Sequence, residues 1–154
     1  MPMELDQTDR RILIKLQQDC RATIAEVAEA AGLSASPCLR RWKRLEEAGI
    51  IARYAAVLDA ARLGLGVTVL VSVKLADHSH EVVAGFEQAM RRVPEVQECL
   101  LLSGQRDYQL RLTLKDLAAY NEFMQRVMNR IPGMAAIETS FVMREVKRDT
   151  ALPL

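Results

Sequence analysis

The sequence predicts an α+β fold in which a helical first part is followed by a part that alternates strands and helices. Up to about residue 49, apolar side chains recur every three or four positions, which is typical of short amphipathic helices. From residue 67 onward, apolar and polar residues alternate, which is typical of strands with one buried face. The length of 154 residues suits one large domain or two small ones. We therefore predict two domains, at residues 1–60 and 61–154.

Two helices are predicted first, each with a recognisable capping residue. The first covers residues 6–18, and either Asp6 or Thr8 is a suitable N-terminal cap. The second covers residues 23–31, where Thr23 followed three positions later by Glu26 forms a capping-box pattern. The apolar residues of each helix fall on one side, which predicts that the two helices pack against each other.

A third helix is predicted after a turn at Gly32, and its two sides differ in character. It begins at Ser34 or Ser36, both suitable caps, and ends near Gly49. On a wheel of about 100° per residue, one side is apolar and is expected to pack on the first two helices. The apolar side consists of Cys38, Trp42, Leu45 and Gly49. The opposite side consists of Ser36, Pro37, Arg40, Lys43 and Arg44, with Arg41 at its edge.

Positive charge is concentrated on this third helix, although the formal net charge of the whole chain is only +1. Four of the five residues at positions 40–44 are cationic. Cations near the start of a helix oppose its macrodipole, and an ordinary solvated face alternates Lys with Glu four positions apart. Two helices joined by a glycine-containing turn also form the helix-turn-helix arrangement. The pattern therefore favours a helix that faces DNA over a merely solvated surface.

The chain after the third helix is predicted to form a wing, a hinge and then a sheet. The apolar segment "IIARYAAVLD" would form the two-stranded wing of a winged helix, and Gly64 and Gly66 a hinge. The order that follows is β-α-β-β-α-β, the ferredoxin-like sandwich. The predicted strands are residues 67–75, 95–104, 107–114 and 135–147, and the predicted helices are residues 81–93 and 116–131. The sheet face left open by the helices, including Leu70 and Leu101, would form a dimer interface.

The sequence contains no pattern typical of an enzyme, a metal site or a bound cofactor. The three cysteines are widely spaced and lack a CxxC pair, so we predict reduced thiols rather than a zinc site or disulfides. His78 and His80 lack neighbouring ligands in the sequence and are predicted to be exposed. No apolar run is long enough to span a membrane, and the N-terminal segment lacks the features of a secretory signal. We predict a cytoplasmic protein associated with the nucleoid.

Four segments together carry a resemblance to a known family. "LDQTDRRILIKLQQD", "GLSASPCLRRWKRLEEAGII", "GQRDYQLRL" and "TSFVMREVK" occur in this order. With them, the chain resembles the Lrp/AsnC family of feast/famine transcriptional regulators over essentially its whole length. The resemblance implies an N-terminal winged helix-turn-helix and a C-terminal domain that binds an effector and mediates oligomerisation. It also implies a homodimer that assembles into an octamer around DNA.

The residues predicted to contact double-stranded DNA all belong to the third helix or its start. They are Ser34, Ser36, Pro37, Arg40, Arg41, Lys43 and Arg44. We expect residues 34–40 to read bases, and the later cations to hold the phosphate backbone. A two-fold dimer would place two such helices about 34–36 Å apart, which predicts a palindromic operator. Arg53 and Tyr54 are candidates for further contacts from the wing, although Tyr54 could equally serve its packing.

The resemblance also implies that a loop in the second domain binds a small amino acid between dimers. The plainer interpretation of this loop, "SGQRDY", is a hairpin turn with Gly104 and Asp107 as turn residues. In the effector interpretation, backbone N–H groups near Gly104 hold the carboxylate, and Asp107 pairs with the ammonium group. The predicted effector residues are Ser103, Gly104, Gln105, Arg106, Asp107 and Tyr108, with Thr139 and Ser140 from a neighbouring subunit.

We therefore predict a sequence-specific DNA-binding transcriptional regulator of amino-acid metabolism that responds to a small amino acid. Two alternatives stay open. One is a nucleoid-type architectural protein, for which binding would depend on salt and show little sequence preference. The other is an amino-acid-binding protein with a vestigial helix-turn-helix, although the clustered cations count against it.

Overall fold

The computed structural model describes residues 4–154. The described residues form five α-helices, one 3₁₀ helix and four strands. The chain divides into two compact units, of which the second is Leu58–Val146. The first unit combines the residues up to Val57 with the segment Lys147–Leu154. The domain limits at residues 60 and 61 stay a prediction, whereas the final segment groups with the helical unit.

The first unit contains the three helices predicted from the sequence. They are α1 (Gln7–Gln18), α2 (Ile24–Ala31) and α3 (Ala35–Glu47). The capping boxes at the starts of α1 and α2 are both formed, with Asp6 and Thr23 as the N-terminal caps. Gly32 ends α2 with a φ of 71°, in the left-handed region that favours glycine. These features were predictable because each depends on residues only a few positions apart.

The apolar side of α3 packs into the core of the first unit. Cys38 and Leu45 are fully buried, together with Ile12 of α1 and Val27 of α2. Trp42 is partly buried against the same cluster. The predicted direction of the apolar side is therefore confirmed for Cys38, Trp42 and Leu45, whereas Gly49 is exposed and lies beyond the end of α3.

The predicted two-stranded wing does not form, because residues 48–66 contain no strand. A hairpin needs a short turn between two alternating runs, and the segment "IIARYAAVLD" has no Gly, Asn or Pro to make one. Its side chains also lack a buried face, since Val57 and Leu58 are exposed. Residues 60–64 instead form a short turn that ends at Gly64, with a φ of 75°.

The second unit has the predicted order of strands and helices. Its strands are β1 (Val67–Leu75), β2 (Val96–Leu101), β3 (Tyr108–Leu114) and β4 (Met134–Phe141). Its helices are α4 (His80–Arg91), α5 (Leu117–Arg126) and the 3₁₀ helix Met128–Arg130. The strands form one antiparallel sheet in the order β2-β3-β1-β4. This confirms the α+β class and the ferredoxin-like order, although β4 ends six residues earlier than the predicted 147.

The core of the second unit lies between the helices and one face of the sheet. The alternating residues of β1 and β3 are buried there, and α4 and α5 contribute Phe86 and Phe123. Leu117, at the start of α5, is 57% exposed. Asp116 caps α5, which makes Leu117 the first helical residue and places it off the face that carries Phe123.

The open face of the sheet differs from the prediction at one position. Leu70 pairs with Arg111 and lies on the open face, as predicted. Leu101 pairs with Tyr108, whose side chain is buried on the helix side, so Leu101 lies on that side too. The register of β2 shifts between Val96 and Glu98. A one-residue shift moves every later side chain to the opposite face, which is why simple alternation misplaced Leu101.

Candidate DNA interface and effector loop

The exposed side of α3 carries the residues predicted to contact DNA. Ser34 is the cap of the helix, and Ser36 and Arg40 follow on its exposed side. Arg40 and Lys43 are exposed and form no ion pair with any residue of the described part. Pro37 is partly buried in the first turn of the helix. These groups are free to meet a polyanion.

Arg41 and Arg44 are engaged with carboxylates of the first helix. Arg41 Nη1 lies 2.9 Å from Asp9 Oδ1 and 2.6 Å from Asp6 Oδ2. Arg44 Nη2 lies 2.8 Å from Asp9 Oδ2. Asp9 is 1% exposed, and a buried carboxylate requires such partners. The two arginines therefore hold α3 against α1.

These contacts shift the pKa values of Asp6 and Arg41. The backbone N–H of Asp9 and the guanidinium of Arg41 lower the pKa of Asp6. Asp6 and Asp9 in turn raise the pKa of Arg41, so this pair stays ionised. A guanidinium has five N–H donors, and the Arg44 side chain is 51% exposed. Arg41 and Arg44 therefore have a structural role in binding the carboxylates of α1. Their contacts with phosphate stay a prediction.

Tyr54 lies against α3, and not within a wing as the packing alternative had it. The Trp42 indole N–H donates to the Tyr54 hydroxyl at 2.6 Å, and that hydroxyl donates to Glu46 Oε1 at 2.7 Å. Burial and the neighbouring Glu46 raise the pKa of Tyr54. This group anchors the segment after α3 to the helix.

In the loop at residues 103–108, the Asp107 carboxylate is buried and surrounded by donors. Its Oδ2 atom accepts the Leu75 N–H at 2.7 Å, and its Oδ1 atom lies 3.0 Å from Lys74 Nζ. His78 Nε2 is 2.9 Å from the same Oδ1 atom. Asp107 is only 7% exposed. The bond with His78 above all, then the Leu75 N–H and Lys74, hold the pKa of Asp107 well below its usual range.

The backbone of the loop is held at its base and open at its tip. The Asp107 N–H donates to the carbonyl of Val73, and Arg106 Nη2 lies 2.7 Å from Glu138 Oε2 on β4. Gly104 has a φ of 142°, which a side chain would rarely tolerate. Residues 103–105 are exposed. The turn interpretation of this loop is therefore correct, and the exposed tip leaves room for a ligand.

The other predicted effector residues point in different directions within one protomer. Tyr108 is buried and donates to Glu87 Oε1 at 3.1 Å; burial and Glu87 raise its pKa to about 12. The Thr139 hydroxyl is 2.7 Å from that of Tyr120 on the helix side of the sheet. Ser140 pairs with Leu70 on the open face. Within one protomer, Thr139 and Ser140 lie on opposite faces, and their role across a subunit boundary stays a prediction.

Comparison with known proteins identifies the family. Residues 5–46 match the AsnC-type helix-turn-helix domain, and residues 68–152 match the Lrp/AsnC ligand binding domain. The chain belongs to the Lrp/AsnC family. The family, the fold class and the function of a DNA-binding transcriptional regulator that were predicted from the sequence are thereby confirmed.

Similar proteins match this Lrp/AsnC chain over nearly its full length. The DNA-binding transcriptional activator DecR of Escherichia coli K12 is 39% identical over 150 residues, covering 97% of this chain and 99% of DecR. The Bkd operon transcriptional regulator of Pseudomonas aeruginosa is 40% identical over 151 residues, which cover 98% of this chain and 99% of that regulator. A transcriptional regulator of Neisseria meningitidis, solved as a complex with L-Met, superposes with a TM-score of 0.93 at 37% identity and 97% coverage of both chains.

Reasoning from the sequence of this Lrp/AsnC protein missed Asp9, Lys74 and His78. The role of Asp9 depends on the packing of α1 on α3, which no local sequence pattern shows. Lys74 lies at the end of β1 and His78 in the following loop, about thirty positions before Asp107. Within residues 4–154, no cluster of three or more His, Cys, Asp or Glu side chains is placed to hold a metal ion. No helix in this part of the chain is long and apolar enough to cross a membrane.

Proposed function

We propose that this protein is a sequence-specific transcriptional regulator of amino-acid metabolism, whose DNA affinity or assembly responds to a small amino acid. One observation carries the proposal. A helix-turn-helix with exposed cations at Arg40 and Lys43 is joined in one chain to a domain of the Lrp/AsnC ligand-binding type. As a regulator it would have no catalytic activity and no cofactor, and it would act in the cytoplasm at the nucleoid.

On DNA, the start of α3 would enter the major groove. Arg40 would pair with guanine O6 and N7, and Ser34 and Ser36 would reach base edges or sugars. Lys43 would hold a phosphate as a point charge. A homodimer would present two copies of α3 to a palindromic operator, and dimers would assemble into an octamer.

At the effector loop, the exposed N–H groups of residues 103–105 would hold the carboxylate of the amino acid. Asp107 already has three donors, so the ammonium group of the ligand must replace one of them. His78 is the partner most open to exchange, because its side chain is 62% exposed whereas the Leu75 N–H is part of the buried backbone. The ligand would shift the assembly only by its difference in affinity for the two states. The relative solved with L-Met supports an amino acid as the class of effector.

The experiment is a titration of the full chain against operator and unrelated DNA, with and without each common amino acid. Operator fragments are first selected from genomic DNA, and binding is measured by fluorescence anisotropy at several salt concentrations. We expect the affinity for operator DNA to exceed the affinity for unrelated DNA by a factor of about 10³ or more. We also expect at least one amino acid to change the affinity for the operator. Equal affinity for both DNAs would overturn the proposal in favour of an architectural protein. Ligand binding without any DNA binding would overturn it in favour of a vestigial helix-turn-helix.

A further inference from the structure

In the proposed effector site, side chains of the protein already occupy the position of the ligand's ammonium group. The Asp107 Oδ1 atom lies 2.9 Å from His78 Nε2 and 3.0 Å from Lys74 Nζ. A carboxylate oxygen has two lone pairs, so these two contacts fill the Oδ1 atom. An ammonium group that approaches this oxygen therefore finds both acceptor positions taken, and it binds there only if one contact is broken.

The two contacts differ in how easily they break. Lys74 lies on β1, and its side chain is 34% exposed. His78 lies in the loop between β1 and α4, and its side chain is 62% exposed. An ion pair with an exposed partner contributes little, so the imidazole can leave Oδ1 at a small cost. Asp107 itself is buried, which means that another donor must take the place of the imidazole.

The backbone on both sides of His78 is held by bonds that do not involve the imidazole. The Ala76 N–H donates to the carbonyl of Gly133 at 2.8 Å. The Asp77 carboxylate accepts the N–H of Ser79, the residue just before α4. The imidazole can therefore rotate away from Asp107 while the loop keeps its backbone conformation.

We propose that His78 is an internal competitor of the effector, which binds by displacing the imidazole from Asp107. This inference rests on the proposed function, because it concerns the same amino-acid site. The ammonium group of the ligand replaces the imidazole on Oδ1, so the buried carboxylate keeps its full set of donors. The apparent affinity for the ligand is the intrinsic affinity multiplied by the fraction of molecules in which the imidazole has left Asp107. His78 therefore sets the concentration of amino acid at which the regulator responds.

Calorimetric titration of the full chain with L-methionine, the amino acid in the solved relative, tests the competition. If L-methionine gives no binding heat, the titrant is the amino acid that changes the operator affinity. His78→Ala is expected to bind it about two- to fivefold more tightly than the natural chain does, the range for a partly exposed ion pair. His80→Ala removes the other histidine, which is exposed at the first residue of α4, and is expected to leave the affinity unchanged. A cooperative thermal transition shows that each variant is folded.

Chemical modification of the two histidines tests the displacement directly. Diethyl pyrocarbonate acylates imidazole nitrogens that are not held by another group, and tandem mass spectrometry separates the two positions. The amino acid is expected to speed the modification of His78 by about the factor seen in the calorimetric comparison, because both measurements report the fraction of free imidazole. His80 is expected to react at the same rate with and without the amino acid. A ligand that merely covered the loop would slow the reaction of His78 instead.

The outcomes separate this inference from the proposed function. An affinity of His78→Ala equal to or lower than that of the natural chain overturns the competition. A rate of His78 modification that falls or stays constant with the amino acid overturns the displacement. In both cases the amino acid still binds and acts on DNA, so the proposed function stands. If no amino acid binds the natural chain, the proposed function fails and this inference fails with it.

Discussion

Asp9 is buried at the start of α1, and its Oδ2 atom lies 2.8 Å from Nη2 of Arg44 on α3. The same carboxylate is held by Arg41. A helix whose cations were expected to serve DNA alone therefore uses two of them to hold the domain together. This divides the four cations of α3 into two groups, since Arg40 and Lys43 are exposed and form no ion pair within residues 4–154.

The first prediction concerns Asp9 itself. Asp9→Asn is expected to lower the free energy of unfolding of the first unit by about 1–3 kcal/mol, because a charge-assisted contact with two arginines is lost. Urea unfolding can be followed by the fluorescence of Trp42, the single tryptophan of the chain, which lies in this unit. Glu29→Gln, an exposed acid on α2, is the matched control and should unfold as the natural chain does. An Asp9→Asn midpoint equal to that of the control would show that the buried carboxylate contributes nothing to stability.

The second prediction separates Arg40 from Arg44. Arg40→Ala is expected to weaken operator binding by about 1–3 kcal/mol and to leave the unfolding midpoint unchanged. Arg44→Ala is expected to lower both the operator affinity and the stability, since it leaves Asp9 with one partner fewer. Anisotropy titrations and urea unfolding of the same preparations provide the comparison. If Arg40→Ala binds the operator with full affinity, the assignment of α3 as the recognition helix is wrong.

The sequence predicted those parts of the fold that depend on near neighbours. The Asp6 cap of α1, the capping box of α2 and the span of β1 depend on local sequence, and these predictions were correct. The role of Asp9 was missed because it depends on which turn of α3 packs over α1. Leu101 was misplaced because a register shift in β2 leaves no local signal. The effector loop followed from the family resemblance, but the donors around Asp107 come from β1 and the residues after it, and only the folded sheet brings them together.

The third prediction concerns acid stability of the second unit. The pKa of Asp107 is lower in the folded state than the unfolded value of about 3.9. A carboxyl group with a lowered folded pKa contributes stability at higher pH, and this contribution is lost as the pH falls below about 4. The Asp107→Asn variant should therefore lose less stability between neutral and acidic pH than the natural chain. The measurement is the urea midpoint against pH by circular dichroism.

A matched control variant tests whether Asp107 causes this dependence of the urea midpoint on pH. Glu122→Gln removes an exposed acid on α5. Its urea midpoint should fall in acid as much as that of the natural chain does. Asp107→Asn is expected to be less stable than this control at neutral pH and closer to it in acid. Parallel curves for the two variants would mean that the contacts of Asp107 with His78, Lys74 and the Leu75 N–H do not stabilise the fold.

The last prediction concerns the C-terminal segment, which groups with the helical unit. The side chain of Gln17 on α1 forms two hydrogen bonds with the backbone of Leu152. Gln17 Nε2 donates to the Leu152 carbonyl at 3.1 Å, and Gln17 Oε1 accepts the Leu152 N–H at 2.6 Å. Gln17→Ala removes both bonds, each of which contributes about 0.5–1.5 kcal/mol. Hydrogen exchange in the peptide that contains Leu152 should therefore accelerate by about fivefold or more. Gln18→Ala, on an adjacent exposed residue of α1, should leave the exchange unchanged. Equal exchange in both variants would mean that the side chain of Gln17 does not hold the segment in solution.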